Sequence, residues 1–196
     1  MFRLFESIKV FDRKLWNIEH HNARMNKSRH ELFKSDDLLD LSDIIKIPHE
    51  LSRNLFKCRV TYSERIHDVE FHPYTIKSIT KLIVVYDDNI RYEYKSEDRR
   101  DLQKHLCKAD GGEILIVKNG LITDTSYSNV VFSDFTKLYT PAKPLLKGTK
   151  RARLLANGKI CEEEISVKDL KKFKCVYLIN ALIDLEDNVR IPKIIL

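Results

Sequence analysis

Two segments limit what this chain can fold into more than any others. Residues 114–117, the Lys118-Asn119-Gly120 turn and residues 121–132 (LITDTSYSNVVF) spell a hairpin. Asn-Gly accepts the left-handed backbone of a tight two-residue turn, and apolar runs flank it on both sides. Residues 145–155 (LLKGTKRARLL) follow after one further turn. There Gly-Thr opens a basic helix, whose first N–H groups have no partner inside the helix and can face an anion.

Size and composition limit the rest. A chain of 196 residues with formal net charge +6 makes one large domain or two small ones. Hydrophobic residues at 43% can fill a core, and five glycines and five prolines are too few for a disordered chain. The start, MFRLFESIKVF, lacks the apolar stretch of a signal peptide, and no window approaches a membrane span. The expectation is a soluble, cytoplasmic protein with no membrane partner. Cys58, Cys107, Cys161 and Cys175 form no CxxC pair and have no histidine at metal-like spacing, so buried thiols are expected and no metal site. Basic residues are scattered among 29 acids without a continuous basic face, which argues against nucleic-acid binding.

Along the chain, residues 3–10 and 15–18 read as strands, 19–33 as a helix and 36–45 as a shorter one. Strands are expected at 55–62, 69–74, 82–86 and 90–94, and a polar helix at 98–108 before Asp110-Gly111-Gly112. After the hairpin come a strand at 137–140, a helix at 150–156 and a strand at 159–165. Ser166 with Asp169 then forms a capping box, and strands follow at 175–179, 183–185 and 189–191. The fold class is α+β with much antiparallel sheet. Two small domains are expected, an N-terminal one over residues 1–86 and a barrel-like one over residues 87–196, with a cleft between them.

Several residues could carry chemistry. Lys95 ends a strand and precedes a helix, where its amine can be fixed by the sheet; a solvated surface lysine is the plainer reading. Asp98 and Arg99 are possible charge partners. Asp124 sits on an apolar strand before Ser126, Ser128 and Asn129, and a buried carboxylate there needs a partner such as a protonated pyridine nitrogen. An exposed position on the hairpin's outer face is the alternative. Gly148, Thr149 and Lys150 form the anion candidate, with glycine for the turn and threonine as a cap. His21 and Arg24 share a helix face, and Arg24 could fork onto a phosphate. Arg59 and Tyr62 are weaker candidates for a substrate carboxylate. Together, an acid on a strand and an anion-binding helix start suit a phosphorylated aromatic cofactor.

With these residues in view, the whole chain resembles the class IV pyridoxal-phosphate enzymes of the D-amino-acid aminotransferase-like fold. That group includes branched-chain and D-amino-acid aminotransferases and 4-amino-4-deoxychorismate lyases. The resemblance runs through GLITDTSYSNVVF and LLKGTKRARLL, with Phe5-Glu6-Ser7, His21-Asn22-Ala23-Arg24-Met25 and Leu178-Ile179-Asn180-Ala181-Leu182 in support. It implies that Lys95, with Arg99 four residues on, holds pyridoxal 5′-phosphate as an internal aldimine and serves as base at the substrate's Cα. It also implies that Arg24, Thr149 and Lys150 hold the phosphate. Asp124 falls where the family usually carries a glutamate facing the ring nitrogen, with Ser128, Asn129 and Gly148 around it. Arg59, Tyr62, Arg99, Asn180 and Ala181 are implied toward substrate. Position 100, where aminotransferases often carry a tyrosine, is arginine here. Transamination of a small amino acid is the expected activity. The alternatives are the deoxychorismate lyase reaction, releasing pyruvate and 4-aminobenzoate, and a non-catalytic cofactor-binding homologue. A homodimer is implied as well.

Overall fold

A computed structural model describes residues 2–196 of the chain. Internal contacts divide it into two compact units. The first runs up to Ile76 and takes back Tyr94–Asp98; the second comprises Lys77–Glu93 and Arg99–Leu196. The single boundary drawn from the sequence after residue 86 is thus replaced by three crossings, and Lys95 belongs with the first unit.

In the first unit, β1 (Leu4–Phe11) and β2 (Lys14–Leu15) form a hairpin, followed by α1 (Ile18–Phe33), a single turn α2 (Leu41–Ile44), β3 (Phe56–Tyr62) and β4 (Ile66–Pro73). The sheet order is β2-β1-β3-β4, antiparallel throughout. Alternation along β1 and β3 turns Leu4, Ile8, Val10, Cys58, Val60 and Tyr62 to one face, where they pack with Met25 of α1. Buried positions of α1, His21, Met25, Ser28 and Arg29, recur at helical spacing and form the facing stripe. Glu6 stands in the same row of β1 as Leu4 and Ile8 and is fully buried. The second helix is shorter than expected: its cap is Asp40, and the residues before Leu39 are held in a loop by Arg29, which bonds the Asp37 carbonyl and carboxylate.

The second unit holds two sheets. β5 (Leu82–Tyr86), α3 (Arg100–Leu106), β6 (Glu113–Lys118) and β7 (Leu121–Ile122) lead into β8 (Asn129–Ser133), β9 (Leu138–Pro141), α4 (Thr149–Ala156) and β10 (Cys161–Glu163). β11 (Cys175–Ile179), β12 (Arg190–Ile191) and β13 (Ile194–Ile195) complete it. The strand orders are β13-β5-β6-β7 and β10-β9-β8-β11-β12. The first sheet is parallel at β13–β5 and β5–β6, so the second unit is mixed rather than mainly antiparallel. A core of Leu82, Leu115, Val117, Val130, Phe132 and Leu178 is drawn from both sheets.

The Asn-Gly hairpin forms as read, with Asn119 at φ 51° and Gly120 at φ 77° and Lys118 opposite Leu121. Its second arm lasts only two residues. The chain then leaves the sheet through residues 123–128 and resumes as β8 in the other sheet, so Asp124 sits in a loop closed by an isolated bridge to Asn129. Residues 90–94, expected as a strand, are irregular. β5 already has β6 and β13 on its two edges, and Ile90 and Tyr92 bury their side chains among Leu102, Ile114 and Leu145 instead. Ile183 likewise forms only a bridge to Asn180. The Ser166–Asp169 capping box is present and opens a 3-10 helix, Val167–Lys172. Cys58 and Cys175 are buried, whereas Cys107 and Cys161 are exposed, against the expectation of four buried thiols. Among the described residues no helix is long and apolar enough to cross a membrane.

Candidate active site

Within the first unit, Glu6 is the centre of a buried charge cluster. It accepts from His21 Nδ1 at 2.6 Å and Arg24 Nε at 2.9 Å, and Arg24 Nη2 closes a short second prong of the fork. Burial alone would raise the Glu6 carboxyl. The Arg24 charge and the His21 hydrogen bond outweigh it and hold the group down at about 2. His21 shifts downward, first because burial disfavours its charge, with Arg24 and Lys95 adding repulsion against the pull of Glu6. Because an ionised Glu6 can only accept, a neutral His21 must carry its proton on Nδ1. Arg24 is thereby fixed in direction, with 15% of its side chain still exposed.

Lys95 reaches this neighbourhood by a route the sequence did not suggest. Rather than ending a strand, it rides on a short extension of the first sheet. Phe5 N–H donates to the Lys95 carbonyl at 2.9 Å, Leu4 bridges Ser96, and Glu97 N–H donates to Arg3 at 3.1 Å. Lys95 Nζ lies 4.7 Å from the centroid of the Phe5 ring. Arg59 covers the same ring. Tyr62 does not join it: three positions along a strand reverse the face, and its side chain is buried in the core with Leu4 and Val60. Burial pushes the Tyr62 hydroxyl well above its ordinary range.

Within the second unit, a second network surrounds Asp124. The carboxylate accepts from Asn129 Nδ2 at 2.6 Å and from Leu146 N–H at 2.9 Å. Asn129 Nδ2 also donates to the Leu146 carbonyl at 3.0 Å, tying the acid to the segment that leads into α4. Gly148 is required here for close approach, since a Cβ would lie 2.0 Å from Asn129 Oδ1. Its φ of −68° is open to any residue, so the tight turn expected of it is not the reason for glycine. Gly148 itself, not Thr149, is the N-cap, and no side chain caps the helix. Thr149 and Lys150 are buried in its first turn, and Lys150 Nζ pairs with Asp184.

The loop between Asp124 and Asn129 is held from several sides. Ser126 donates through N–H and Oγ, both at 3.0 Å, to Glu113, a buried carboxylate on β6. Arg99 Nη2 donates to the Ser126 carbonyl at 2.6 Å, while its buried Nε has no partner among the described residues. Thr125 and Ser128 bond each other's backbone, and Asn180 Nδ2 donates to Ser128 Oγ at 3.0 Å. Asn180 Oδ1 in turn accepts from Leu182 and Ile183 N–H, which fixes the turn containing Ala181. Asp124, Ser128, Asn129, Gly148 and Asn180 therefore form one connected group, with Thr149 and Lys150 beginning the adjoining helix.

Glu6, Phe5 and Glu113 were not singled out from the sequence as functional groups. Glu6 carried a signal, an acid at an inward position of an apolar row, that demands a buried cation nearby. Glu113 gave none, since its partners are thirteen residues away in a loop.

Asp124 also provides a test of whether these residues fit a pyridine cofactor. Burial raises its carboxyl to about 6, against the hydrogen bonds from Leu146 and Asn129 and the charge of Arg151. No cation lies within ion-pair distance of it among the described residues. A buried carboxylate, largely ionised at neutral pH, hydrogen-bonded but in no direct ion pair, is a group that a protonated ring nitrogen complements. The residues present fit the group.

The α+β fold with mixed sheets matches the architecture of the class IV aminotransferases, and comparison with known proteins gives the family. The profile of amino-transferase class IV matches residues 98–186, which includes Asp124 through Ala181 and begins three residues after Lys95. An uncharacterized protein of Haemophilus influenzae is 33% identical over 185 residues, 93% of this chain and 98% of that protein. The crystal structure of a candidate 4-amino-4-deoxychorismate lyase from Haemophilus somnus is 34% identical, with TM-score 0.85, covering 93% of this chain and 97% of that one. A candidate amino-acid aminotransferase from Mesorhizobium loti shares the fold over the full length of both chains, at 21% identity and TM-score 0.77. A hypothetical aminotransferase from Mycobacterium tuberculosis, in its pyridoxal-phosphate-bound form, shares it over 98% of this chain and 81% of that one, at 16% identity and TM-score 0.72. The chain belongs to the class IV aminotransferase family.

Proposed function

We propose that this protein is a pyridoxal 5′-phosphate-dependent enzyme that transfers the amino group of a small amino acid. The observation that carries the reading is Asp124, a buried carboxylate in no direct ion pair among the described residues. When bound, the cofactor supplies an electron sink for the bond broken at the substrate's Cα.

The chain's own residues supply the rest. Lys95 Nζ is the amine that would hold the cofactor's carbonyl carbon and, once displaced by the substrate's amine, move the proton at Cα. Arg24, oriented by Glu6, and the first turn of α4 at Thr149 and Lys150 would hold the phosphate. Asp124 would keep a proton on the ring nitrogen, and Asn129 and Leu146 N–H keep Asp124 in place.

A second reading is the lyase reaction, which would remove pyruvate and leave 4-aminobenzoate; the likeness to the Haemophilus somnus protein favours it. Both readings share the same residues, and a homodimer belongs to both. Reduction of the cofactor-loaded protein with borohydride, followed by peptide mapping, tests the common part. The expected result is one adduct, on Lys95. No adduct, or adducts spread over several lysines, would remove the enzyme reading. Incubation with aminodeoxychorismate then separates the branches, since only the lyase releases 4-aminobenzoate.

A further inference from the structure

Glu113 is a buried acid whose hydrogen-bond partners are all neutral. It opens β6 opposite Leu82 of β5, with 3% of its surface exposed. Its Oε1 accepts from Ile114 N–H at 2.9 Å and Ser126 N–H at 3.0 Å, and its Oε2 accepts from Ser126 Oγ at 3.0 Å. A carboxylate is costly to bury, and an apolar side chain of similar volume in such a place is often as stable or more so. What the carboxylate adds is direction, because a fully satisfied polar network admits one arrangement of the groups it joins.

The group it joins to β6 is the tip of the turn that follows Asp124. Asp124 and Asn129 form the bridge that closes this turn. Within it, Thr125 N–H and Oγ1 donate to the Ser128 carbonyl at 2.9 and 3.1 Å, and Ser128 N–H donates back to Thr125 Oγ1 at 3.0 Å. At the entry, Ile116 N–H donates to the Asp124 carbonyl at 2.9 Å, and at the exit Asn129 begins β8. Between these points Ser126 gives its N–H, hydroxyl and carbonyl all to other elements. The first two go to Glu113 and the third accepts from Arg99 Nη2 at 2.6 Å, Arg99 being the N-cap residue of α3. The tip is held between a strand and a helix start, and the guanidinium expected toward substrate is engaged with the turn.

We propose that Glu113 is a positioning residue for Asp124. Acting through Ser126, it keeps the turn closed, and the closed turn keeps Asn129 Nδ2 and Leu146 N–H on the Asp124 carboxylate. The proposal rests on the ring-nitrogen role given to Asp124 above. Without Glu113, Ser126 N–H and Oγ lose their acceptor, water enters at the tip, and the turn keeps only its internal bonds and the Arg99 contact. The bridge between Asp124 and Asn129 then opens more often, and the carboxylate meets a ring nitrogen over a spread of directions instead of one. Hydrogen bonds weaken steeply with misalignment, so this contact is lost while those assigned above to other segments are kept.

The test compares pyridoxal 5′-phosphate with its carbocyclic analogue, which has C–H in place of the ring nitrogen and keeps the aldehyde, phenol and phosphate. Dissociation constants of both are measured by absorbance titration of the full-length protein. Wild type is expected to prefer the pyridine about 10- to 100-fold, as one hydrogen bond to a charged group supplies. Glu113→Ala is expected to bring that preference below about threefold. Ser126→Ala, a milder change that removes only the Oγ contact, falls between. Glu113→Gln is expected to retain the preference, since its amide oxygen accepts from Ser126 N–H and its amide N–H donates to Oγ. In cofactor-free protein, hydrogen exchange at Leu146 N–H, which reports its bond to Asp124, is expected to speed up in Glu113→Ala relative to the amides of β8. A merely structural Glu113 would weaken both ligands alike and leave the preference and the relative exchange of Leu146 unchanged. An undiminished preference in Glu113→Ala or Ser126→Ala, or its loss in Glu113→Gln, overturns this inference and leaves the function above standing. Equal binding of the two ligands by wild type, or binding of neither, removes the ring-nitrogen role itself and this inference with it.

Discussion

Replacing Glu6 with glutamine tests whether the first unit is built around its buried charge cluster. A carboxyl that titrates at about 2 in the fold, against an ordinary 4.5, carries roughly 3 kcal/mol of pH-linked stability. The folded-state value lies below the unfolded one. The contribution is therefore complete above pH 4.5 and is lost as the pH falls through 2. A second estimate agrees, since removing one partner of a buried ion pair typically costs about 3–5 kcal/mol. Glutamine keeps the shape and one acceptor, so the charge is what the substitution removes. The chain has one tryptophan, Trp16, and it belongs to the same unit as Glu6, so urea unfolding followed by its fluorescence reports this unit. Glu6→Gln is expected to be about 3 kcal/mol less stable than wild type at pH 7, with the gap narrowing as the pH is lowered from 4.5 toward 2. Affinity for pyridoxal phosphate is expected to fall with it, because Arg24 loses its orienting partner. A midpoint unchanged at pH 7, or a gap that does not narrow in acid, would refute the reasoning and make the cluster incidental to the fold.

The second unit offers further checks. Gly148→Ala would set a Cβ 2.0 Å from Asn129 Oδ1, so a loss of about 1–3 kcal/mol is expected in calorimetric unfolding, with weaker cofactor binding as Asn129 shifts. Glu113→Ala strands the N–H and hydroxyl of Ser126, and the melting curve should show a loss of about 2 kcal/mol or more. Asp124 titrates at about 6, above its ordinary 3.8, so its burial favours the fold fully below 3.8 and that contribution drains away as the pH rises through 6. Added pyridoxal phosphate should consequently raise the melting temperature more at pH 7.5 than at pH 5. Asp124→Asn should flatten that difference, and an increment independent of pH in wild type would count against the ring-nitrogen role.

Parts of this arrangement were legible in advance and parts were not. The Asn-Gly turn, the first helix and the Ser166–Asp169 capping box rest on local rules of turn, period and cap, and each formed within one residue of where it was expected. The second arm of the hairpin failed because its apolar residues belong to two sheets. Asp124 through Ser128 are the crossover, and no periodicity separates a strand that continues from one that changes partners. Tyr62 was grouped with Arg59 although the three-residue spacing turns them to opposite faces, a conflict visible once the strand is certain. Gly148 was read as a turn glycine, and only its neighbour Asn129, nineteen residues earlier, gives the true reason for it.

The sequence by itself determined the chemistry available: a lysine at 95, an arginine at 24, an acid at 124 and a glycine-led helix at 149, because side-chain type is written directly into the chain. Which groups meet was decided by tertiary structure. Strand register puts Glu6 under Arg24 and Phe5 beneath both Lys95 and Arg59, and the return of residues 94–98 to the first sheet carries the lysine there. Burial then sets the protonation of Glu6 and Asp124 in opposite directions. The physical reason is that one buried acid is bonded directly to a guanidinium while the other feels only the more distant charge of Arg151, and the distance between groups far apart in sequence exists only in the folded chain.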